Sequence, residues 1–268
     1  MKGWDQRFGG IERLVGKTRC QRIQEAHVCI IGIGGVGSWA AESLARSGIG
    51  QLSLIDMDEV CVTNVNRQIH ALDSTVGLSK AKVMRERIGQ INPDCDVSVH
   101  NLFLNEENAG ALLERPYHVV IDAIDRAPAK CLILSQARDR QLPVISVGAA
   151  GGRLNPLLIE SADLSRVHHD RLLQRVRKQL RNRFGFPRNR SMGIACIFSP
   201  EPPTLPSTLE MDECEVKTPL EVSGRLGCAQ GYGSITQVTG SFGFVAASLA
   251  LQALMESPSE PVLPHDKA

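Results

Sequence analysis

No C-x-x-C pair occurs in the 268 residues, although eight cysteines stand at positions 20, 29, 61, 95, 131, 196, 214 and 228. A zinc ribbon needs two such pairs to gather its thiolates, so a structural zinc of that kind is excluded. Cys29 falls in an apolar, strand-like run and Cys131 in a helix-like one. Buried thiols of this sort suit a reducing compartment, and the cytoplasm is the expected location. The opening Met1-Lys2-Gly3-Trp4-Asp5-Gln6-Arg7 lacks the apolar core of a signal peptide. Net charge is nearly absent at a formal +1, so no global field draws the chain to nucleic acid or membrane, and any such partner has to be met by a local patch. Aromatics are scarce at 4% while 24 glycines are present, a balance that suits α/β units with tight turns better than a β-sandwich. Long apolar runs are missing too. Residues 226–255 hold no charge, but their densest part, Phe242 to Met255, is 14 residues long, short of the roughly 20 a membrane span needs. Membrane association is not expected. With Gly240, Gly243, Ala246 and Ala247, this end reads as an apolar helix packed closely within the fold or at a dimer seam.

What is present in the first half alternates between strand and helix. His27 to Gly32 is a short apolar run ending in glycine, read as a buried parallel strand. A small-residue helix follows from about Val36 to Ser47, closed by Gly48, and Gln51 to Asp56 is a second strand. Lys80 to Ile91 reads as a helix stopped by Asn92-Pro93. Val97 to Val99, His118 to Ile121 and Pro143 to Val147 complete the strands, with a helix before each of the last two. Repeated βαβ units predict a Rossmann-like, doubly wound and mostly parallel sheet. The expected organisation is an ATP-binding adenylation domain over residues 1–160. Residues 161–268 complete it with a basic helical insertion from Asp163 to Phe184, a mobile Pro-rich loop from Ser199 to Ser223, and the apolar C-terminal helix.

Gly32-Ile33-Gly34-Gly35-Val36-Gly37 follows a strand and opens a helix. Gly32, Gly34, Gly35 and Gly37 let the backbone turn tightly against a phosphate, to which the helix N-terminus offers free N–H groups. Asp56 closes the next strand, where an acid accepts ribose hydroxyls. A dinucleotide and ATP share this geometry. Arg67 and Lys80 favour ATP, because a planar fork and a point charge serve a triphosphate and add nothing to a nicotinamide cofactor's ribose. An NAD-dependent dehydrogenase is disfavoured on that ground; two solvated surface cations are the plainer alternative. Asp125, in Asp122-Ala123-Ile124-Asp125 at the end of another strand, is placed to hold Mg²⁺ between phosphate oxygens. Capping the helix that follows is the plainer alternative, and the two roles coexist if Asp122 caps and Asp125 binds.

GIGGVG, IDMDEV, N-V-N-R-Q, VGLSK and DAID together resemble the ubiquitin-activating-enzyme superfamily, including its bacterial molybdopterin- and thiamine-pathway adenylyltransferases, over about residues 5 to 155. The resemblance implies an ATP-dependent ligase-type enzyme that adenylates a carboxylate. Asp56 would sit on ribose, Asn64, Arg67 and Lys80 on phosphates with Gln68 beside them, and Asp125 on the metal. It further implies a homodimer in which the partner lends an arginine from an N-terminal R-[YF]-x-R stretch. Here the stretch reads Arg7-Phe8-Gly9-Gly10, so the second arginine is missing and Arg7 and Arg13 are the candidates. RFGG-x-x-RL, the VCVTNxNRQIHAL pattern, VGAAGG and Gly240 to Ala246 look like the branch of dehydratases acting on threonylcarbamoyladenosine in tRNA. That likeness implies activation of the threonyl carboxylate, ring closure by the neighbouring carbamoyl group and net loss of water.

The second half bears on the same point. Nine basic residues lie between Arg166 and Arg190 with Asp170 as the sole acid. Leucines and Val176 recur at helical spacing, so one face packs and the other presents Arg171, Arg175, Arg177, Lys178 and Arg181. Such a stripe suits an RNA phosphate backbone, although a solvated face is its plainer reading. The alternative from another class is adenylation of the C-terminus of a ubiquitin-like sulfur carrier, with Cys228 relaying sulfur. The missing zinc pairs and the basic stretch argue against it. A sulfur-transfer protein stays open as a further partner.

Overall fold

The computed structural model describes residues 3–204 and 232–256. Two short helices, α1 (Trp4–Val15) and α2 (Lys17–Glu25), precede the first strand. The chain then runs through β1 (His27–Ile31), α3 (Gly37–Arg46), β2 (Gln51–Ile55), α4 (Lys80–Ile91), β3 (Asp96–His100), α5 (Ala109–Leu113), β4 (Val119–Asp122), α6 (Ala127–Asp139) and β5 (Val144–Val147). It ends with β6 (Glu160–Asp163), α7 (Arg171–Arg183), β7 (Ala195–Phe198) and α8 (Thr236–Glu256). The strands form one sheet ordered β3-β2-β1-β4-β5-β7-β6, parallel except for β6, which runs antiparallel to β7. The order reverses at β1, and in open sheets of this kind ligands bind in the crevice outside the carboxyl ends at that point.

Burial on both faces explains why the central strands read as unbroken apolar runs. Val28 and Ile30 face a core shared with α3, α4 and α8, whereas Cys29 and Ile31 face one shared with α5, α6 and α7. Helix α8 is long and apolar enough to cross a membrane by length and composition. In the fold it packs along α3, with Val238, Phe242, Ala246, Ala247, Ala250 and Leu254 buried. The Arg22 guanidinium holds its C-terminal Met255 carbonyl at 2.6 Å, where a cation meets the negative end of the helix dipole.

Close approach of the two helices depends on small residues, as the sequence suggests. A Cβ on Gly243 would stand 2.6 Å from the Trp39 Cβ and 2.7 Å from the Val36 carbonyl oxygen. Alanine adds about 1 kcal/mol of helix propensity over glycine, but overpacking against backbone costs about 2–3 kcal/mol. Gly243→Ala is therefore expected to lose about 1–2 kcal/mol net, read as a fall of several degrees in thermal unfolding.

Three sequence expectations are corrected. The basic helix starts at Arg171, not Asp163. Asp163 ends β6, and its carboxylate fastens the loop by accepting from the backbone N–H of Ser165, Met192 and Ile194 and the hydroxyl of Ser191. Asp170 caps α7, accepting from the Leu173 N–H at 2.9 Å. Arg166, Arg188 and Arg190 thus lie off the helix. Second, β6 and β7 extend the sheet beyond the strands read from the sequence. Third, neither Asp122 nor Asp125 caps α6, whose N-cap position is Arg126 without a side-chain bond. Most of the Pro-rich loop, Cys214 within it and Cys228 beyond it fall outside the described residues.

Candidate nucleotide and substrate site

The turn after β1 brings backbone against backbone. Gly32 has φ of 92°, and a Cβ on Gly37 would fall 1.8 Å from the Gly32 carbonyl oxygen. Only glycine fits there, so the N-terminus of α3 stands open at the crevice. A Cβ on Gly35 would meet the Arg67 stem at 3.5 Å and the Thr239 methyl at 3.4 Å. The small residues of this turn therefore also make room for the next loop.

Asp56 follows β2 and is held from below. Its Oδ2 accepts from the Ile33 N–H at 2.6 Å and its Oδ1 from the Asp58 N–H at 2.8 Å. Each oxygen keeps a lone pair for a hydroxyl donor. Burial raises its pKa above the usual aspartate value, with Lys80 and the two N–H donors opposing.

Lys80 is 7% exposed, and its Nζ donates to Asp58 Oδ2 at 3.0 Å. Asp58 itself is 56% exposed on its side chain. Lys80 begins α4, where the helix dipole disfavours a cation. A buried ammonium kept at the wrong end of a helix is a local conflict of the kind functional sites retain.

The loop between β2 and α4 carries the remaining candidates. Asn64 is buried and its Oδ1 accepts from the Cys61 N–H at 3.0 Å, so it shapes the turn that presents Arg67. The Arg67 guanidinium rests on the Thr63 carbonyl at 2.7 Å and Asn66 Oδ1 at 3.1 Å. The Trp39 indole donates to the Arg67 carbonyl at 3.0 Å. Gln68 is buried beside Gly34, with its Oε1 lacking a donor. An unsatisfied buried amide at this edge fits a crevice that takes up a polar ligand.

Asp125 follows β4 with an exposed carboxylate that has no hydrogen bond or ion pair among the described residues. That environment suits a hard cation sharing one carboxylate with substrate phosphates. Asp122 lies fully buried beneath it. Lys130 Nζ donates to Asp122 Oδ2 at 3.0 Å, to the Asp122 carbonyl at 3.1 Å and to Ser146 Oγ at 3.3 Å. This cluster pins the turn bearing Asp125 to β5.

Some groups stay apart from the crevice. Arg7 Nη1 donates to the Ile91 carbonyl at 3.2 Å, at the opposite end of α4 from Lys80. The eleven steps from Lys80 to Ile91 rise roughly 17 Å along the helix, so Arg7 lies far from the phosphate loop of its own chain. Arg13 is exposed on the same helix, α1. On α7, Arg171, Arg175 and Lys178 are exposed. Arg177 is half-buried and donates to the carbonyls of Leu164, Ser165 and Val167, while Arg181 donates to those of Pro187 and Arg188.

Sequence reasoning missed the ties between this loop and the start of α8. Asn66 Nδ2 donates to the Ser234 carbonyl at 2.8 Å, and the Thr236 hydroxyl donates to the Asn66 carbonyl. It also missed His70, which is buried with neither ring nitrogen partnered. Burial, with Lys80 and Arg87 adding repulsion, pushes that imidazole down to about 4. No periodicity marks either feature; both are products of tertiary contact.

The ThiF family profile matches residues 10–265. The tRNA threonylcarbamoyladenosine dehydratase of Escherichia coli (strain K12) is 46% identical over 254 residues, 94% of each chain. The crystal structure of the E. coli tRNA N6-threonylcarbamoyladenosine dehydratase in complex with ATP superimposes with a TM-score of 0.84, at 42% identity over 95% of this chain and 96% of that one. By contrast, the adenylyltransferase and sulfurtransferase MOCS3 of Anopheles gambiae is 38% identical over 128 residues, 48% of this chain and 29% of its own length.

Proposed function

The chain belongs to the ThiF family, and from that premise we propose that it uses ATP to adenylate the threonyl carboxylate of threonylcarbamoyladenosine in tRNA and then closes the ring. The carrying observation is the likeness to the dehydratase bound to ATP, which runs through the nucleotide crevice and on to both ends of the fold. Activation of a sulfur carrier is the weaker reading, because likeness to a sulfurtransferase-type relative stops at about half of the chain.

In this reading a carboxylate oxygen attacks the α-phosphorus of ATP and expels pyrophosphate. The carbamoyl group of the same molecule then attacks the acyl carbon, loses a proton and expels AMP. The net change is loss of one water from the nucleoside. Asp56 accepts from the ribose, the open N-terminus of α3 faces phosphate, and Asn64 with Gln68 shapes the loop. Arg67 and Lys80 neutralise charge that grows on the leaving pyrophosphate. Asp125 would hold Mg²⁺, which supplies further charge neutralisation on phosphate oxygens. Arg7, far from the phosphate loop of its own chain, or Arg13 beside it, is donated across a homodimer. The protein works in the cytoplasm, and the exposed face of α7 meets the tRNA backbone. Incubation of the protein with ATP and tRNA carrying the modification should yield a nucleoside lighter by one water, read by mass spectrometry. An unchanged nucleoside would refute the assignment.

Ring closure within one molecule has an effective molarity of about 10⁵ M or more, so no enzyme nucleophile is needed. The described thiols agree. Burial pushes Cys29 and Cys95 up to about 12, Cys131 to about 11 and Cys196 well above the usual range. Cys61 is the exception, because the Thr63 hydroxyl donates to its sulfur and lowers it. We expect Cys61→Ala to keep turnover within about two-fold and to accumulate no acyl adenylate. Adenylate that forms but never cyclises in this variant would reveal a covalent intermediate instead.

A further inference from the structure

Arg153 follows the Gly151–Gly152 turn beyond the carboxyl end of β5 and is 3% exposed. Its Nη2 donates to the His169 carbonyl at 3.3 Å. Nε and Nη1 are buried without an acceptor. No carboxylate lies within ion-pairing distance among the described residues. Asp170 packs behind the same strand end, but its carboxylate faces the N–H groups of Ala149 and Leu173 and forms no ion pair with Arg153. Arginine stays protonated in proteins, and a buried charge without a counter-ion is strongly unfavourable. A fold that keeps one has left a place for an anion.

The position of this cation narrows which anion. The Gly152 N–H donates to the Gly233 carbonyl at 2.7 Å, and the next residue, Ser234, accepts from Asn66 Nδ2 at 2.8 Å. One short segment therefore links the turn bearing Arg153 to the loop bearing Arg67. Pro203 and the Tyr232 ring pack on Gly152, and Tyr232 is 45% exposed. The cover over the turn is in part a solvent-facing ring.

We propose that Arg153 receives the carboxylate of the threonylcarbamoyl group and holds it for attack on ATP. The assignment rests on the function inferred above. A planar guanidinium with Nε and Nη1 free to donate matches a carboxylate in shape and charge. A tRNA phosphate shares that oxyanion chemistry, and the substrate itself separates the two.

The test measures affinity for tRNA with and without the threonylcarbamoyl group, in the absence of ATP, for the wild type, Arg153→Met and Arg153→Lys. Wild type should prefer the modified tRNA. Arg153→Met should lose that preference by on the order of 10- to 100-fold, the range for a hydrogen bond to a charged group. Its affinity for unmodified tRNA and for ATP should stay within about two-fold, and Arg153→Lys should recover part of the preference. Because methionine removes an unpaired buried charge, the Tm of Arg153→Met should match or exceed that of wild type. Equal weakening on both tRNAs would assign the cation to backbone phosphate and overturn the proposal. A marked fall in Tm together with lost ATP affinity would make it a structural residue and overturn it as well. Wild-type protein that leaves the modified nucleoside unchanged would refute the underlying function, a separate readout from the binding comparison.

Discussion

Lys80→Ala and Arg67→Ala proteins should release AMP from ATP and modified tRNA about 100- to 1000-fold more slowly than wild type, the range for removing one preorganised charge from a transition state. Lys80 is buried, holds one partner and sits where the dipole of α4 works against it. Nothing in packing alone calls for an ammonium there. Its removal leaves Asp58, which is mostly exposed, so an uncompensated buried charge is not created and folding should survive. Arg67 rests on the carbonyl of Thr63, a neutral acceptor that a triphosphate outcompetes through charge-assisted bonds. Its backbone is fixed by Trp39, so truncation at the side chain leaves the loop in place. AMP release is measured beside thermal unfolding. Turnover within a few-fold of wild type in either folded variant would remove that residue from the phosphate site.

Much of this crevice was legible in the sequence because its parts are local. Gly32 to Gly37 sits between an apolar run and a helix, and Asp56, Lys80 and Asp125 each mark the end of a strand or the start of a helix. Lys80–Ile91 follows from its stop signal, Asn92-Pro93. The second half was less legible. Leu164 has helical spacing to the residues of α7 but is buried from a loop, so periodicity extended the helix by two turns. Only the side chains of Asp163 and Asp170, each gathering N–H groups distant in the chain or at the helix start, end one element and begin the other. Asp122 looked like a cap because it precedes a helix; its partner Lys130 turns it inward, a pairing that sequence order does not announce. Arg153 has no motif at all, and its isolation is visible only once the groups around it are placed.

Reversing Arg171, Arg175 and Lys178 to glutamate should weaken tRNA binding by roughly 100-fold at physiological salt and flatten its salt dependence by 2 to 3 log–log units. These residues fall at i, i+4 and i+7 of α7, on one exposed face, without a hydrogen bond or ion pair among the described residues. Arg177 and Arg181 are left intact, since their guanidinium groups hold the loops on either side of the helix. Changing them would confuse lost binding with lost structure. Arg171 opens the helix, where glutamate is favoured by the dipole, so the variant helix is not expected to melt. Each phosphate contact contributes about 0.7 to 0.9 to the slope through released counterions; three together account for the expected change, and extrapolation from 1 M salt returns the 100-fold loss. ATP affinity should be unaffected, because α7 packs with α6 on the other face of the sheet from α3, α4 and α8. An unchanged slope would mean that this basic face is merely solvated and that the tRNA is held elsewhere.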